Sequence, residues 1–254
     1  MLRTLRYNLG LGFGLLKLCF LAPSSGFEKL EKEGKFQEYN DLAGGLIRGW
    51  AQRRIKQSGA RIKVKGIENI PLDRTVLFVA NHQSNFDIPA ILGTLPTNKG
   101  FVAKKELGEV PVLGYWMMRI HCQFMDRSDI KQSMQVILDT IELLKKGYNM
   151  VIFPEGTRSK GKPVREFKAG SFKPAIKAKV PIIPITMDGT YRIIEGNPKN
   201  HVRPADVNIT VHPLIETKDL TKEEIKELPQ KVQKIITDCM VYTPKSETEV
   251  KEND

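Results

Sequence analysis

Six short apolar runs, at residues 76–80, 100–103, 122–125, 150–153, 182–187 and 207–211, alternate with amphipathic stretches at 88–95, 130–146, 171–179 and 222–241. Short apolar runs bounded by turn signals suit strands buried on both faces, and the longer stretches repeat apolar residues at helical spacing. Parallel strands need long crossovers, which helices supply. The alternation therefore predicts an α/β layered domain with a largely parallel central sheet flanked by helices. Another strand is expected at 59–66, where GARIKVKG alternates apolar with other residues before a turn marked by Asn69, Pro71 and Asp73. In open sheets of this kind the loops at the carboxyl ends of the strands gather on one rim, where chemistry is expected.

With 41% hydrophobic and 27% charged residues, the chain has the make-up of a packed protein, which excludes global disorder. Its net charge of +11 calls for an anionic partner. The first 65 residues hold 13 Lys and Arg against 5 Asp and Glu, so most of the excess is regional. There, Arg3 and Arg6 precede an apolar run that Lys17 interrupts, with no small-x-small cleavage site and too few apolar residues for a confident membrane span. In 27–57, Phe27, Leu30, Phe36, Tyr39, Leu42, Leu46, Ile47 and Trp50 recur at helical spacing. Residues 1–58 are thus expected to form an amphipathic two-helix hairpin, joined at 23–26, that docks on an anionic membrane surface. A hairpin packed on its own domain would give the same pattern. Residues 59–242 form the α/β domain, and 243–254 (TPKSETEVKEND), lacking an apolar face, are expected to be a disordered tail.

Cys19, Cys122 and Cys239 are far apart and make no CxxC or Cys/His pattern, which argues against a disulfide framework or a metal site and points to a reducing compartment. No finger, RNP-like or helix-turn-helix signature accompanies the basic charge, so no nucleic-acid partner is expected.

After the run at 76–80 comes NHQSNFD, which sets His82 and Asp87 five positions apart at a strand-to-helix junction. Asp87 folded back onto the imidazole would fix its tautomer and stabilise the imidazolium, as a base that deprotonates an alcohol requires. A loop histidine near a helix-capping aspartate gives the same spacing. FPEGTRS (153–159) runs from a strand into a loop in which Gly156 permits close backbone approach, and Thr157 and Arg158 suit phosphate oxygens. Lys104 in AKKEL and Arg127 in FMDR place cations at two further strand ends. Ser84 reads as a loop-stabilising residue rather than a nucleophile, and backbone amides near the start of the helix after Asp87 are the candidates for oxyanion donors.

In this order and spacing NHQSNFD, AKKEL, FMDR, FPEGTRS and VPIIPITM resemble the motif blocks of the glycerolipid acyltransferase family, particularly 1-acylglycerol-3-phosphate acyltransferases, over residues 62–211. The resemblance implies transfer of a fatty acyl group from acyl carrier protein (ACP) or coenzyme A onto the sn-2 hydroxyl of 1-acylglycerol 3-phosphate, giving phosphatidate. It implies His82 as general base with Asp87 as partner, and no acyl-enzyme, cofactor or metal. Arg127, Glu155, Gly156, Thr157 and Arg158 would form the binding surface for the acceptor's phosphate, and Lys104 matches the family's motif lysine. The expected location is the cytoplasmic face of the cell membrane, held peripherally. Glycerol 3-phosphate or another lysolipid as acceptor, and a non-catalytic lipid- or nucleic-acid-binding role, are the competing readings.

Overall fold

The computed structural model describes residues 1–21 and 24–242. The expected tail at 243–254 lies outside them, as does the start of the expected turn at 23–26. Seven strands, β1 (Arg61–Lys65), β2 (Leu77–Ala80), β3 (Lys99–Lys104), β4 (Gln123–Met125), β5 (Asn149–Ile152), β6 (Ile182–Asp188) and β7 (Asp206–Val211), form one sheet in the order β1-β7-β6-β2-β5-β3-β4. All pairs are parallel except β6 with β7. The sequence reading of a largely parallel sheet with covering helices holds.

Strand β2 runs between β5 and β6 in the middle of the sheet, with Val79 opposite Ile152 and Ala80 opposite Ile185. Alternate residues of a strand face opposite ways. Phe78 and Ala80 accordingly enter one buried cluster, with Val151, Ile183 and Ile185, while Leu77 and Val79 enter another, with Met150 and Ile182. The first cluster is closed by helices α1 (Leu2–Leu21), α2 (Ser24–Lys32), α3 (Phe36–Ser58), α4 (Asp87–Thr94) and α5 (Leu113–Arg119). The second is closed by α6 (Ile130–Lys145), α7 (Lys173–Ala178) and α8 (Lys222–Thr237). Asp129 caps α6 through the Lys131 and Gln132 amides, and Thr221 with Glu224 makes a capping box on α8.

Residues 1–58 differ from the expected two-helix hairpin: the second stretch breaks into α2 and α3 around Gly34, whose φ of +66° is reached at little cost only without a side chain. On α3, Ala43, Ile47, Trp50, Ala51 and Arg54 form a buried stripe, and α3 packs on α4 and α1. Gly10 and Gly14 let α1 approach α3 closely, because a Cβ at Gly10 would lie 2.3 Å from Arg54 Nη1 and one at Gly14 3.1 Å from Trp50 Cδ1. The Arg54 guanidinium donates to the Tyr7 carbonyl, and the Trp116 indole of α5 donates to that of Leu15. Helices α1–α3 thus share one core with the sheet. On its other side α1 exposes Leu2, Leu5, Leu9, Phe13, Leu16 and Phe20. Among the described residues no single helix is long and apolar enough to cross a membrane.

Candidate active site

The loop leaving β2 is built from polar residues that are almost wholly buried: Asn81, Gln83, Ser84 and Asp87 have no exposed surface. The Asn81 amide group exchanges two hydrogen bonds with the Met187 backbone, at 2.8 and 2.7 Å, and so continues the pairing with β6 beyond the end of the strand. Gln83 Oε1 accepts from the Gly189 amide at 2.9 Å. The loop carbonyls are held too, with His82 O accepting from Ser159 N at 2.7 Å and Gln83 O from Lys160 N at 3.1 Å.

Within this frame His82 Nδ1 lies 2.7 Å from Asp87 Oδ2. An ionised carboxylate only accepts, so Nδ1 carries the proton and Nε2 is left free as a base. Asp87 Oδ2 also accepts from the Gln83 and Ser84 amides at 2.8 and 2.9 Å, while the Thr190 hydroxyl donates to Oδ1. The imidazole stacks on Phe153 with ring centroids 4.1 Å apart, and its side chain remains 18% exposed. The expected pairing of His82 with Asp87 is therefore formed.

Other expected site residues divide into two groups. Glu155 is almost wholly buried: its side chain accepts from the His82 amide at 2.7 Å and the Arg165 amide at 3.0 Å, and the residue also lines a cavity together with Gly156 and Thr157. Burial raises its carboxyl above the usual range, opposed by those two amides. Its two oxygens tie the β2 loop to the segment that follows the 153–159 loop. Gly156, with φ +71°, Thr157, Arg158 and Arg127 do sit on the rim. A Cβ at Gly156 would come within 3.3 Å of Lys168 Nζ and 3.5 Å of Arg127 Cζ, so these two cations converge over a bare stretch of backbone. Lys104, at the end of β3, is exposed and pairs with Glu106 at 2.6 Å.

Two residues outside the expected set belong to the site. Lys168 is one. Glu195, only 5% exposed, is the other, accepting from Arg158 Nη1 at 2.8 Å, from the Asn85 amide at 2.9 Å and from the Ser84 hydroxyl at 2.5 Å. Ser84 Oγ also accepts from the Phe86 amide, which bears out its loop-stabilising role. Every amide from His82 to Asp87 is thereby occupied, by Glu155, Asp87, Glu195, Ser84 Oγ or the Ser84 carbonyl.

Three cavities lie around the site, lined respectively by Phe153, which stacks on His82, by Glu155, which bonds the His82 amide, and by Asn85 of the loop itself. One of about 260 Å³, largely apolar, is lined by Val102, Met125, Ile137 and Phe153 and reached by Arg127 and Lys168. A second, about 660 Å³, shares Arg127, Gly156 and Lys168 and adds Thr157, Arg165 and Lys226. The third, about 430 Å³, lies among Tyr7, Trp50, Asn85, Arg158, Lys160 and Lys199. A braced imidazole beside an apolar cavity and clustered cations suits a hydroxyl on an anionic, lipid-like molecule.

The family model described as Acyltransferase matches residues 61–188, which include the β2 loop and the 153–159 loop. The chain belongs to this acyltransferase family. Among its relatives, a chloroplastic 1-acyl-sn-glycerol-3-phosphate acyltransferase, BAT2, of Brassica napus is 35% identical over 150 residues, covering 59% of this chain and 43% of that protein. The 1-acyl-sn-glycerol-3-phosphate acyltransferase of Borreliella burgdorferi is 31% identical over 72% of this chain and 73% of its own length. The crystal structure of the 1-acyl-sn-glycerophosphate acyltransferase PlsC from Thermotoga maritima superposes with a TM-score of 0.75 and 29% identity, covering 93% of this chain and 94% of that one. The match spans less than half the length of the chloroplastic relative, and family membership rests on the family-model match over residues 61–188.

Proposed function

We propose that this acyltransferase-family protein is a 1-acylglycerol-3-phosphate acyltransferase, moving a fatty acyl group from acyl-ACP or acyl-CoA to the sn-2 hydroxyl and yielding phosphatidate. The observation that carries the reading is the 2.7 Å contact of His82 Nδ1 with a buried Asp87, on a rim shared with Arg127, Arg158 and Lys168. The free Nε2 takes the proton of the acceptor hydroxyl as its oxygen attacks the thioester carbonyl. The carbon–oxygen bond forms, the carbon–sulfur bond breaks, and the proton passes from the imidazolium to the departing thiolate. Asp87 stabilises the imidazolium between these events. The neighbouring cations hold the acceptor's phosphate, and the apolar cavity beside Phe153 offers room for an acyl chain.

The outward apolar row of α1, flanked by Arg3, Arg6 and Lys17, is the surface we assign to docking on an anionic membrane from its cytoplasmic side. Purified protein incubated with lysophosphatidate and each thioester in turn tests the reaction, with phosphatidate detected by mass. Product is expected with at least one donor, and His82→Ala is expected to lower turnover by about 10²–10⁴. Absence of product with both donors, or near-normal turnover in a folded His82→Ala protein, refutes the reading.

A further inference from the structure

Glu195 follows a short helical turn, Thr190–Ile193, that leaves β6. Through Thr190 and Glu195 this segment holds the catalytic loop at two places: the Thr190 hydroxyl bonds Asp87 at its end, and the Glu195 carboxylate bonds Ser84 and Asn85 in its middle. The same carboxylate holds Arg158 on the neighbouring 153–159 loop. A buried carboxylate carries a desolvation penalty that only good partners offset, and removing one partner leaves the others uncompensated. An amide or hydroxyl would anchor the Asn85 amide equally well. Negative charge at this point is required instead by the guanidinium, which has five donors in a fixed fork and is one-third exposed toward the cavity of about 430 Å³.

We propose that Glu195 is a positioning residue that joins the loop bearing His82 to the Arg158 guanidinium, so that phosphate capture and proton abstraction are aligned by one carboxylate. The proposal rests on the reading of His82 as base and Arg158 as a phosphate ligand. With one N–H taken by Glu195, the remaining donors of Arg158 face outward in a set orientation, and the middle of the loop at Asn85 stays at the distance that orientation dictates. Tyr7 and Leu11 of α1 line the same cavity as Arg158 and Glu195, so the joint lies beneath the helix that carries the exposed apolar row.

Glu195→Gln is the decisive variant, because it keeps the shape and an acceptor for the Asn85 amide but removes the charge. The expected result is a folded protein whose acceptor KM rises, and whose kcat falls, by about tenfold each, with the donor KM unchanged; this follows from reducing a hydrogen bond between two charged groups to one with a single charged partner, which loosens the guanidinium. Arg158→Ala added to Glu195→Gln should raise the acceptor KM no further than Arg158→Ala alone. A folded Glu195→Gln protein with parental kcat and acceptor KM, or fully additive effects with Arg158→Ala, overturns the proposal. Amide hydrogen exchange over residues 82–88 gives a reading independent of the reaction. Faster exchange there in Glu195→Ala, with residues 149–152 unchanged, supports the anchoring; identical protection rejects it. Should the parent protein make no phosphatidate, the proposed reaction fails while the exchange experiment still decides whether Glu195 holds the loop.

Discussion

Asp87→Asn isolates the electrostatic part of the His82–Asp87 pair. Alanine at this position would orphan the donors of His82, Gln83, Ser84 and Thr190 together, and the loop would collapse for reasons unconnected with catalysis. Asparagine is nearly isosteric. Its oxygen can take the place of Oδ2 and accept the same three N–H groups, and its NH₂ can donate to the Thr190 hydroxyl, whose proton then goes to Gln83 Oε1 alone. What disappears is the negative charge facing the imidazolium in the transition state. With a 2.7 Å N–O contact the charge centres are about 4 Å apart, and at an effective dielectric near 20 such a pair interacts by roughly 4 kcal/mol. A factor of ten in rate corresponds to about 1.4 kcal/mol, so kcat should fall about 10³-fold. The ground state contains a neutral imidazole, so both Michaelis constants should stay near those of the parent. Steady-state kinetics at saturating donor and acceptor, with a thermal melt to confirm folding, provides the assay. A folded Asp87→Asn enzyme within about fivefold of the parental kcat would show that the carboxylate does not act through charge, and the general-base argument would fail with it.

Gly10→Ala places a methyl group 2.3 Å from Arg54 Nη1, on a guanidinium that is buried and bonded to the Tyr7 carbonyl, so overpacking should cost about 1–3 kcal/mol, readable as a lowered Tm. Phe13→Ser with Phe20→Ser removes two side chains that are 67% and 80% exposed, and flotation with anionic vesicles should weaken by more than tenfold, since each buried aromatic contributes about 1.5–3 kcal/mol; equal flotation would remove α1 from the docking surface. His121 is packed among Phe36, Tyr39 and Tyr148, and burial, with a smaller contribution from Lys146, lowers its pKa from 6.5 to about 4. A histidine depressed in the folded state stabilises above the unfolded value and loses that contribution as pH falls, so about 3 kcal/mol should vanish between pH 6.5 and 4. Urea melts at both ends of this window should show the drop in the parent and a shallower one in His121→Gln.

The sheet was readable because its central strands are apolar on both faces: all of Leu77–Ala80 and Asn149–Ile152 is buried, and after Asn149 each appears in the sequence as a run without polar interruption. Helix α5 was not readable. Its seven residues, LGYWMMR, are too few for a helical period to register, and they follow Pro111 closely enough to look like loop. The site shows the same division. His82 and Asp87 are near in sequence and share one loop, so their pairing could be inferred from five positions of chain. Glu195 contacts partners 37, 110 and 111 residues away, and in the local string IIEGNPKN it is an ordinary loop acid. Glu155 was identified as important, but its direction was not, since only the folded chain shows that the His82 and Arg165 amides converge on it.

The loop after β2 draws the acceptors for its His82 and Asn85 amides from the segments that follow β5 and β6, its neighbours on either side. Three parallel strands far apart in the chain must therefore be in register before those amides have anywhere to bond. Long-range pairing of this kind comes late in folding. During refolding from denaturant, secondary structure should return before turnover does, because partly assembled species hold the right residues with nothing to keep them still.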